Sequence, residues 1–377
     1  RYGSSGNRVN ETVPIILTKL HPPLLRRNTF PRKRLAALVR QCAERRLTLV
    51  YAAPGYGKTT LIADALSGMD LPLIWYSLSR SDRDLITFAS YLTAAFDRQW
   101  PGFAEAVRPA FAAGQSAPAR PAAFVAACVN QLMLCAATDF LIVIDDFQLV
   151  DRIPEICQLL DQLIEHAPQQ AHFVIATRAA PPFAGLARLR VGGEALEIGE
   201  ADLKFTPDEA AALFAQCLHL SLPDSQVAAL VEHTEGWALG LLLAGQSIKG
   251  GGETEAGGRL LQEAADQRIL FEYLTEEILR QQPPAVADFL TSSAILSRLE
   301  PAECDAALAR SDSAARLREL EQHCLFVVRT EDGWLRYHRL FRKFLLQHLA
   351  ADPEREEALH RRAAAYFEEH REFETAI

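Results

Sequence analysis

The residues best placed to do chemistry lie between Leu49 and Leu66, LVYAAPGYGKTTLIADAL. Gly57, Lys58 and Thr59 close the pattern Gly-x-x-x-x-Gly-Lys-[Ser/Thr], with Ala52 standing where the first glycine is expected. The apolar run Leu47 to Tyr51 reads as a buried strand, and Thr60 to Leu66 reads as the first turns of a helix. Between them, backbone N–H groups from Gly55 to Thr59 can wrap a phosphate at a helix N-terminus, where the peptide dipoles also favour negative charge. Gly55 and Gly57 permit the close approach and the unusual dihedrals. Lys58 is expected to reach the terminal phosphates, and the Thr59 hydroxyl to hold Mg²⁺. The nucleotide contacts expected here are therefore Gly55, Tyr56, Gly57, Lys58, Thr59 and Thr60.

A second stretch, FLIVIDDFQLV, supplies what a phosphate loop needs next: an apolar strand ending in Asp145 and Asp146. The first aspartate at such a tip holds Mg²⁺ directly or through water, and the second accepts a proton from the attacking water or orients it. Many motor ATPases carry the longer Glu in that second place, so Asp146 points to slow hydrolysis. The strand HFVIATR ends in Arg178, which at that edge of the sheet can reach the γ-phosphate and report its presence. A solvated arginine after a strand is the alternative.

These residues need a scaffold, and the pattern from Leu47 to about Phe205 provides one. Apolar strand-like runs alternate with helical patterns, the signature of a mostly parallel sheet with helices on both faces. The expected strands are Leu47–Tyr51, Leu73–Ser77, Phe140–Ile144 and His172–Thr177, with Ala195–Ile198 as a weaker edge strand. FTPDEAAALF then opens a helix, with Thr206 as N-cap, Pro207 first and Glu209 third. The glycine-rich stretch Lys249 to Leu260 reads as a loop or hinge. Further helices lead to CLFVVRTEDGWLRYH, two short strands around an Asp332–Gly333 turn, and then to the helix RLFRKFLLQHL. Helix, helix, hairpin and helix is the layout of a winged-helix module.

The expected division is a tag remnant or disordered arm over 1–13, a P-loop nucleotide-binding domain over 14–205 and a helical domain over 206–275. A winged-helix domain over 276–350 follows, then the start of a helical linker over 351–377 toward a missing sensor. At 377 residues and 49% hydrophobic content the chain can bury real cores. No apolar run is long enough for a membrane span and no signal peptide opens the chain, so no membrane partner is expected. Seven cysteines without a CxxC pair suit reduced thiols in the cytoplasm, with neither zinc site nor disulfide framework. A net charge of −9 argues against a main surface for nucleic acid.

The motifs TLVYAAPGYGKTTLIADAL, IWYSLSRSDRDLITFASYL, LIVIDDFQLV, EGWALGLLLA and LRYHRLFRKFL, in that order, resemble the nucleotide-binding oligomerisation region of the MalT-type regulators. These are large ATP-binding LuxR-family transcription activators of the STAND class of signal-transduction ATPases. The resemblance implies an ATPase held inactive with ADP, which exchanges to ATP when a small-molecule inducer binds a C-terminal sensor, then self-associates and activates transcription. It places Lys58, Thr59, Asp145, Asp146 and Arg178 at phosphate-binding, magnesium, hydrolytic and sensor positions. TFPRKRL is similar to a segment that lies against the nucleotide in STAND proteins, which makes Arg32 a candidate phosphate contact. EGWALGL stands at the Gly-x-Pro motif near the adenine but departs from it at Trp237-Ala238. RYHRLF puts His338 where related proteins bind the ADP β-phosphate and lock the closed form; without the family argument, His338 is a helix N-terminal residue with no ligand. DNA is expected to be read only by a C-terminal helix-turn-helix absent from these residues. The readings set against this switch are an AAA-type motor or loader, which calls for a Glu after the metal-binding Asp, and a small-molecule kinase, which calls for an acceptor pocket.

Overall fold

The computed structural model describes residues 13–26, 28–112, 121–250, 264–322, 326–330 and 332–370. Two compact units divide the chain, the first made of the residues up to Leu25, Lys33–Val50 and Thr59–Ile198, the second of 26–32, Tyr51–Lys58 and everything from Gly199.

In chain order, α1 (Lys33–Arg40) leads into β1 (Leu47–Tyr51), α2 (Lys58–Leu66) and β2 (Leu73–Ser77). Three helices follow, α3 (Leu85–Gln99), α4 (Phe103–Ala112) and α5 (Pro121–Cys135), before β3 (Phe140–Asp145), α6 (Pro154–His166), β4 (Ala171–Thr177), α7 (Leu186–Val191) and β5 (Ala195–Ile198). The five strands lie in the order β2-β3-β4-β1-β5. Parallel pairing joins β2 to β3, β3 to β4 and β1 to β5, with Ser77 opposite Asp145 and Val50 opposite Ile198. Every residue of β3 and β4 is buried, as expected of parallel strands covered on both faces. The strands expected from the sequence are all present, the weaker Ala195–Ile198 included, and β4 is an inner strand between β3 and β1.

The second unit continues with α8 (Glu200–Leu203), α9 (Pro207–Leu213), α10 (Asp224–Thr234) and α11 (Ala238–Gly250). The capping box read from the sequence is formed: the Thr206 hydroxyl accepts from the Glu209 amide at 3.2 Å, and the Glu209 carboxylate accepts from the Thr206 amide at 3.3 Å. Phe205, Leu213, Phe214, Leu230 and Leu241 pack these helices into one core. Lys249 and Gly250 end α11, and the remainder of the glycine-rich stretch lies outside the described residues, as do residues 1–12 of the expected arm.

The winged-helix part is richer than the sequence pattern indicated. After α12 (Ala264–Glu277) come three helices, α13 (Pro284–Ser293), α14 (Pro301–Leu308) and α15 (Ser313–Gln322), then β6 (Val327–Arg329) and β7 (Leu335–Tyr337), α16 (Arg339–Leu349) and α17 (Pro353–Glu369). β6 and β7 pair antiparallel, Val328 opposite Arg336, across a turn in which Gly333 takes φ +86°. The Leu299 amide donates to the Leu335 carbonyl at 2.7 Å and extends the hairpin on its other side. Arg342 of α16 caps the end of α13 through the carbonyls of Ala294 and Ile295, each at 2.9 Å. Among the described residues, no helix is long and apolar enough to cross a membrane.

Candidate functional site

The phosphate loop follows Tyr51, the last residue of β1, and four of its carbonyl oxygens have hydrogen-bond donors. Lys58 Nζ folds back to donate to Ala52 O at 2.8 Å and Ala53 O at 3.2 Å. The Trp237 indole N–H donates to Pro54 O at 2.9 Å, and the Leu239 amide to Gly55 O at 3.1 Å. With these carbonyls taken up by donors, the N–H groups of Gly55 to Thr59 are the loop's candidates for an anion-binding nest. Gly55 and Gly57 both take φ +80°, which ordinary residues avoid. A Cβ on Gly57 would meet nothing within 4 Å, whereas one on Gly55 would lie 2.8 Å from Trp237 Nε1. Gly57 is therefore required by conformation alone, Gly55 by conformation and by the indole against it. Tyr56 is buried and its hydroxyl donates to Glu200 Oε1 at 3.0 Å, while Glu200 Oε2 lies 3.4 Å from the Ala53 amide. Thr60 is exposed in the first turn of α2.

In the first unit, β3 delivers Asp145 to Thr59. The Thr59 hydroxyl donates to Asp145 Oδ1 at 3.0 Å, and the same oxygen accepts the Asp146 amide at 3.0 Å. A hydroxyl and a buried carboxylate are hard oxygen donors, and Mg²⁺ is usually held by one or two carboxylates together with substrate phosphates and water. This donor set fits that ion. Asp146, just past the end of β3, takes the left-handed backbone conformation, φ 59°, and its carboxylate accepts from Gln148 Nε2 at 2.9 Å. Arg178 is half-buried just beyond β4, the strand beside β3, and its charge, with those of Arg152 and Arg83, offsets part of the upward push that burial exerts on the Asp151 carboxyl.

Arg32 belongs to the second unit and is 7% exposed. Its guanidinium donates to the carbonyls of Leu203 and Lys204 and to Glu209 Oε2, the last at 2.6 Å, and it stacks 4.0 Å from the centre of the Phe205 ring. These contacts hold the segment before the phosphate loop against the start of α9.

His338 stands between β7 and α16 and is 1% exposed. Its Nε2 lies 3.0 Å from the Thr234 carbonyl, which can only accept, so Nε2 carries the proton in the neutral ring. Nδ1 is then an acceptor, and among the described residues it has no hydrogen-bond partner. The ring meets Trp237 at 5.8 Å and Phe326 at 5.8 Å, both edge-on. Burial pushes the imidazole down to about 4, with Glu235 and the Thr234 carbonyl opposing part of that push. For Glu235, burial acts upward, but a bidentate pair with Arg336, both bonds 2.8 Å, together with nearby His338 and the Arg339 amide, outweighs it and holds the carboxyl down to about 2. Glu200, Glu235 and Trp237 were not legible as site residues. Glu200 sits in no motif, and the only signal for the other two was that EGW occupies the place of Gly-x-Pro.

A parallel sheet whose first strand continues in sequence into a phosphate-loop motif, and a Thr–Asp pair formed from the third strand, are features of the P-loop NTPase fold class. Residues 28–176 match the AAA ATPase domain family, and residues 275–358 match the MalT winged helix domain. The chain is 31% identical over 98% of its length to the serine/threonine-protein kinase PknK of Mycobacterium tuberculosis, and 32% identical over 88% to the HTH-type transcriptional regulator MalT of Cronobacter sakazakii. It spans about a third of the length of these curated relatives, 33% and 36% respectively. A Walker-type ATPase of Pyrococcus abyssi shares the fold, with a TM-score of 0.58 at 14% identity, over 88% of this chain and 99% of that one. An AAA ATPase domain followed by a MalT winged helix domain, with this similarity to MalT, makes the chain similar to the MalT-type STAND ATPases.

Proposed function

We propose that this chain is the nucleotide-operated switch of a cytoplasmic transcription activator. In this reading it rests with ADP, self-associates with ATP and hydrolyses ATP slowly. Gly55, Tyr56, Gly57, Lys58, Thr59 and Thr60 hold the phosphates, Thr59 and Asp145 hold Mg²⁺, Asp146 positions the attacking water and Arg178 senses the γ-phosphate. Arg32 clamps the segment ahead of the loop and exchanges one of its acceptors for phosphate when nucleotide is bound. A helical domain over 206–275 and a winged-helix domain over 276–350 carry the state of the pocket onward. A small-molecule inducer acts through a C-terminal sensor, and DNA is read by a separate helix-turn-helix.

The observation that carries the switch reading is His338, a buried winged-helix imidazole whose Nδ1 has no hydrogen-bond partner among the described residues. A β-phosphate brought to that nitrogen would favour the protonated ring and gain a charge-assisted hydrogen bond, which in this reading forms only when the winged helix is closed on ADP. A contact present in one state alone shifts the equilibrium by that differential affinity. Asp146 in place of Glu supports slow turnover over the motor reading.

Two measurements test it. Nucleotide released by denaturing the purified protein and identified by chromatography should be ADP, and His338→Ala should exchange it faster; an empty pocket with rapid turnover would favour the motor. Lys58→Ala should abolish nucleotide binding, while Asp146→Ala should keep binding and lose hydrolysis. Equal loss of binding in both variants would overturn the assigned roles.

A further inference from the structure

Trp237 is the residue at which the phosphate loop meets the winged helix, and every contact involved lies inside the second unit. Its indole N–H holds Pro54 O of the loop at 2.9 Å, and the edge of its ring packs on Phe326 at 5.3 Å and on His338 at 5.8 Å. The residue is 1% exposed, so neither contact has water as a ready substitute. Its backbone is fixed as well: the Trp237 amide donates to the Thr234 carbonyl at 3.0 Å, the same carbonyl that His338 Nε2 uses. Close neighbours leave the ring little room to turn. Cβ atoms added at Gly55 and Gly240 would lie 2.8 Å from its Nε1 and 3.0 Å from its Cε3.

From this geometry we infer that Trp237 is a positioning residue that couples the conformation of the phosphate loop to the seating of His338. The inference rests on the nucleotide reading above and names the part through which that pocket is regulated. A phosphate in the loop draws the N–H groups of Gly55 to Thr59 toward it, and the peptide planes, Pro54 included, turn with them. Because peptide groups are rigid, a turn that reorients an N–H also moves the carbonyl of the preceding residue. Pro54 O carries the indole with it, and the close-packed ring passes the displacement to His338 and Phe326, since a packed interior has discrete arrangements and little give. Conversely, a winged helix that moves away removes one wall of the indole site and loosens the loop. By linkage, whatever the loop does to the winged helix, the winged helix does to ADP affinity to the same extent.

The test uses a fluorescent ADP analogue on the intact chain. Trp237→Phe keeps an aromatic ring against His338 but removes the N–H donor. It should release ADP about tenfold faster than wild type, and His338→Ala should do likewise. If the two act through one connection, the double variant should release ADP no faster than the quicker single one. Trp237→Phe at the wild-type rate, or rates that multiply in the double variant, would overturn the coupling. In the unaltered chain, the Trp237 indole N–H resonance, assigned through its backbone, should shift when Mg·ADP is added. An unmoved resonance at saturation would overturn the proposal even if the variants fail to fold. Wild-type protein that binds no ADP would overturn the nucleotide reading and with it this one, an outcome separable from the others because no variant is involved.

Discussion

At the scale of single residues, His338 and Glu235 answer opposite electrostatic problems, one against the Trp237 ring and the other two positions before it in the chain. His338 is buried neutral, down at about 4 against an ordinary 6.5, so the unfolded chain binds its proton first as the pH falls. Stability from this residue is full above 6.5 and declines toward 4, by roughly 3 kcal/mol at most. Glu235 is held ionised, at about 2 against 4.5, so its contribution is full above 4.5 and lost as the pH falls through 2. The two windows adjoin, and the protein should weaken continuously on acidification from neutral pH. Urea melts between pH 7 and pH 4 should show a shallower decline for His338→Gln than for wild type; parallel profiles would refute the burial argument. Bound ADP should reverse the sign at this residue. A phosphate that raises the imidazole favours proton uptake on binding, so the His338-dependent part of ADP affinity is full below about 4 and lost as pH rises through the bound-state value. Affinity measured against pH should therefore fall on the alkaline side for wild type and stay flatter for His338→Gln.

At the scale of elements, local rules carried most of the assignments. The strands were legible because a parallel strand covered on both faces is a continuous apolar run, and the start of α9 because Thr206, Pro207 and Glu209 satisfy a helix N-terminus by themselves. The number of helices before the hairpin was harder to read, since α13, α14 and α15 are short and their breaks depend on what they pack against. The join between α10 and α11 shows how severe a local constraint can be. Gly236 takes φ +72°, its carbonyl accepts from the Phe205 amide at 2.9 Å, and a Cβ there would sit 2.9 Å from Phe205 O. Gly236→Ala should cost about 2 kcal/mol or more, because both the backbone conformation and the close approach are lost. Chemical denaturation measures it, and a loss below about 0.5 kcal/mol, the usual range of an unconstrained surface change, would show that the join relaxes freely.

At the scale of the whole molecule, the proposal makes nucleotide a folding ligand as well as a signal. A ligand that binds only the native form at a hundred times its dissociation constant stabilises by about 2.7 kcal/mol. Mg·ADP should raise the resistance of wild type to denaturant by that order and leave Lys58→Ala unmoved; equal protection of both would place the site elsewhere. Light scattering should find larger assemblies with a non-hydrolysable ATP analogue than with ADP, and the same mass under both would remove self-association from the reading.

The sequence by itself determined the glycines of the loop, the aspartate that Thr59 meets, the individual strands and the hairpin, because each depends on residues close together in the chain: glycines where φ is positive, an apolar run ending in acid, a turn with its glycine. Only the tertiary structure decided which groups surround them. Glu200 beneath Tyr56, Glu235 between Arg336 and the Arg339 amide, and Trp237 between Pro54 and His338 join residues about a hundred or more positions apart. No spacing rule connects such pairs, since burial and hydrogen-bond satisfaction are properties of the packed core and appear only once distant segments share it.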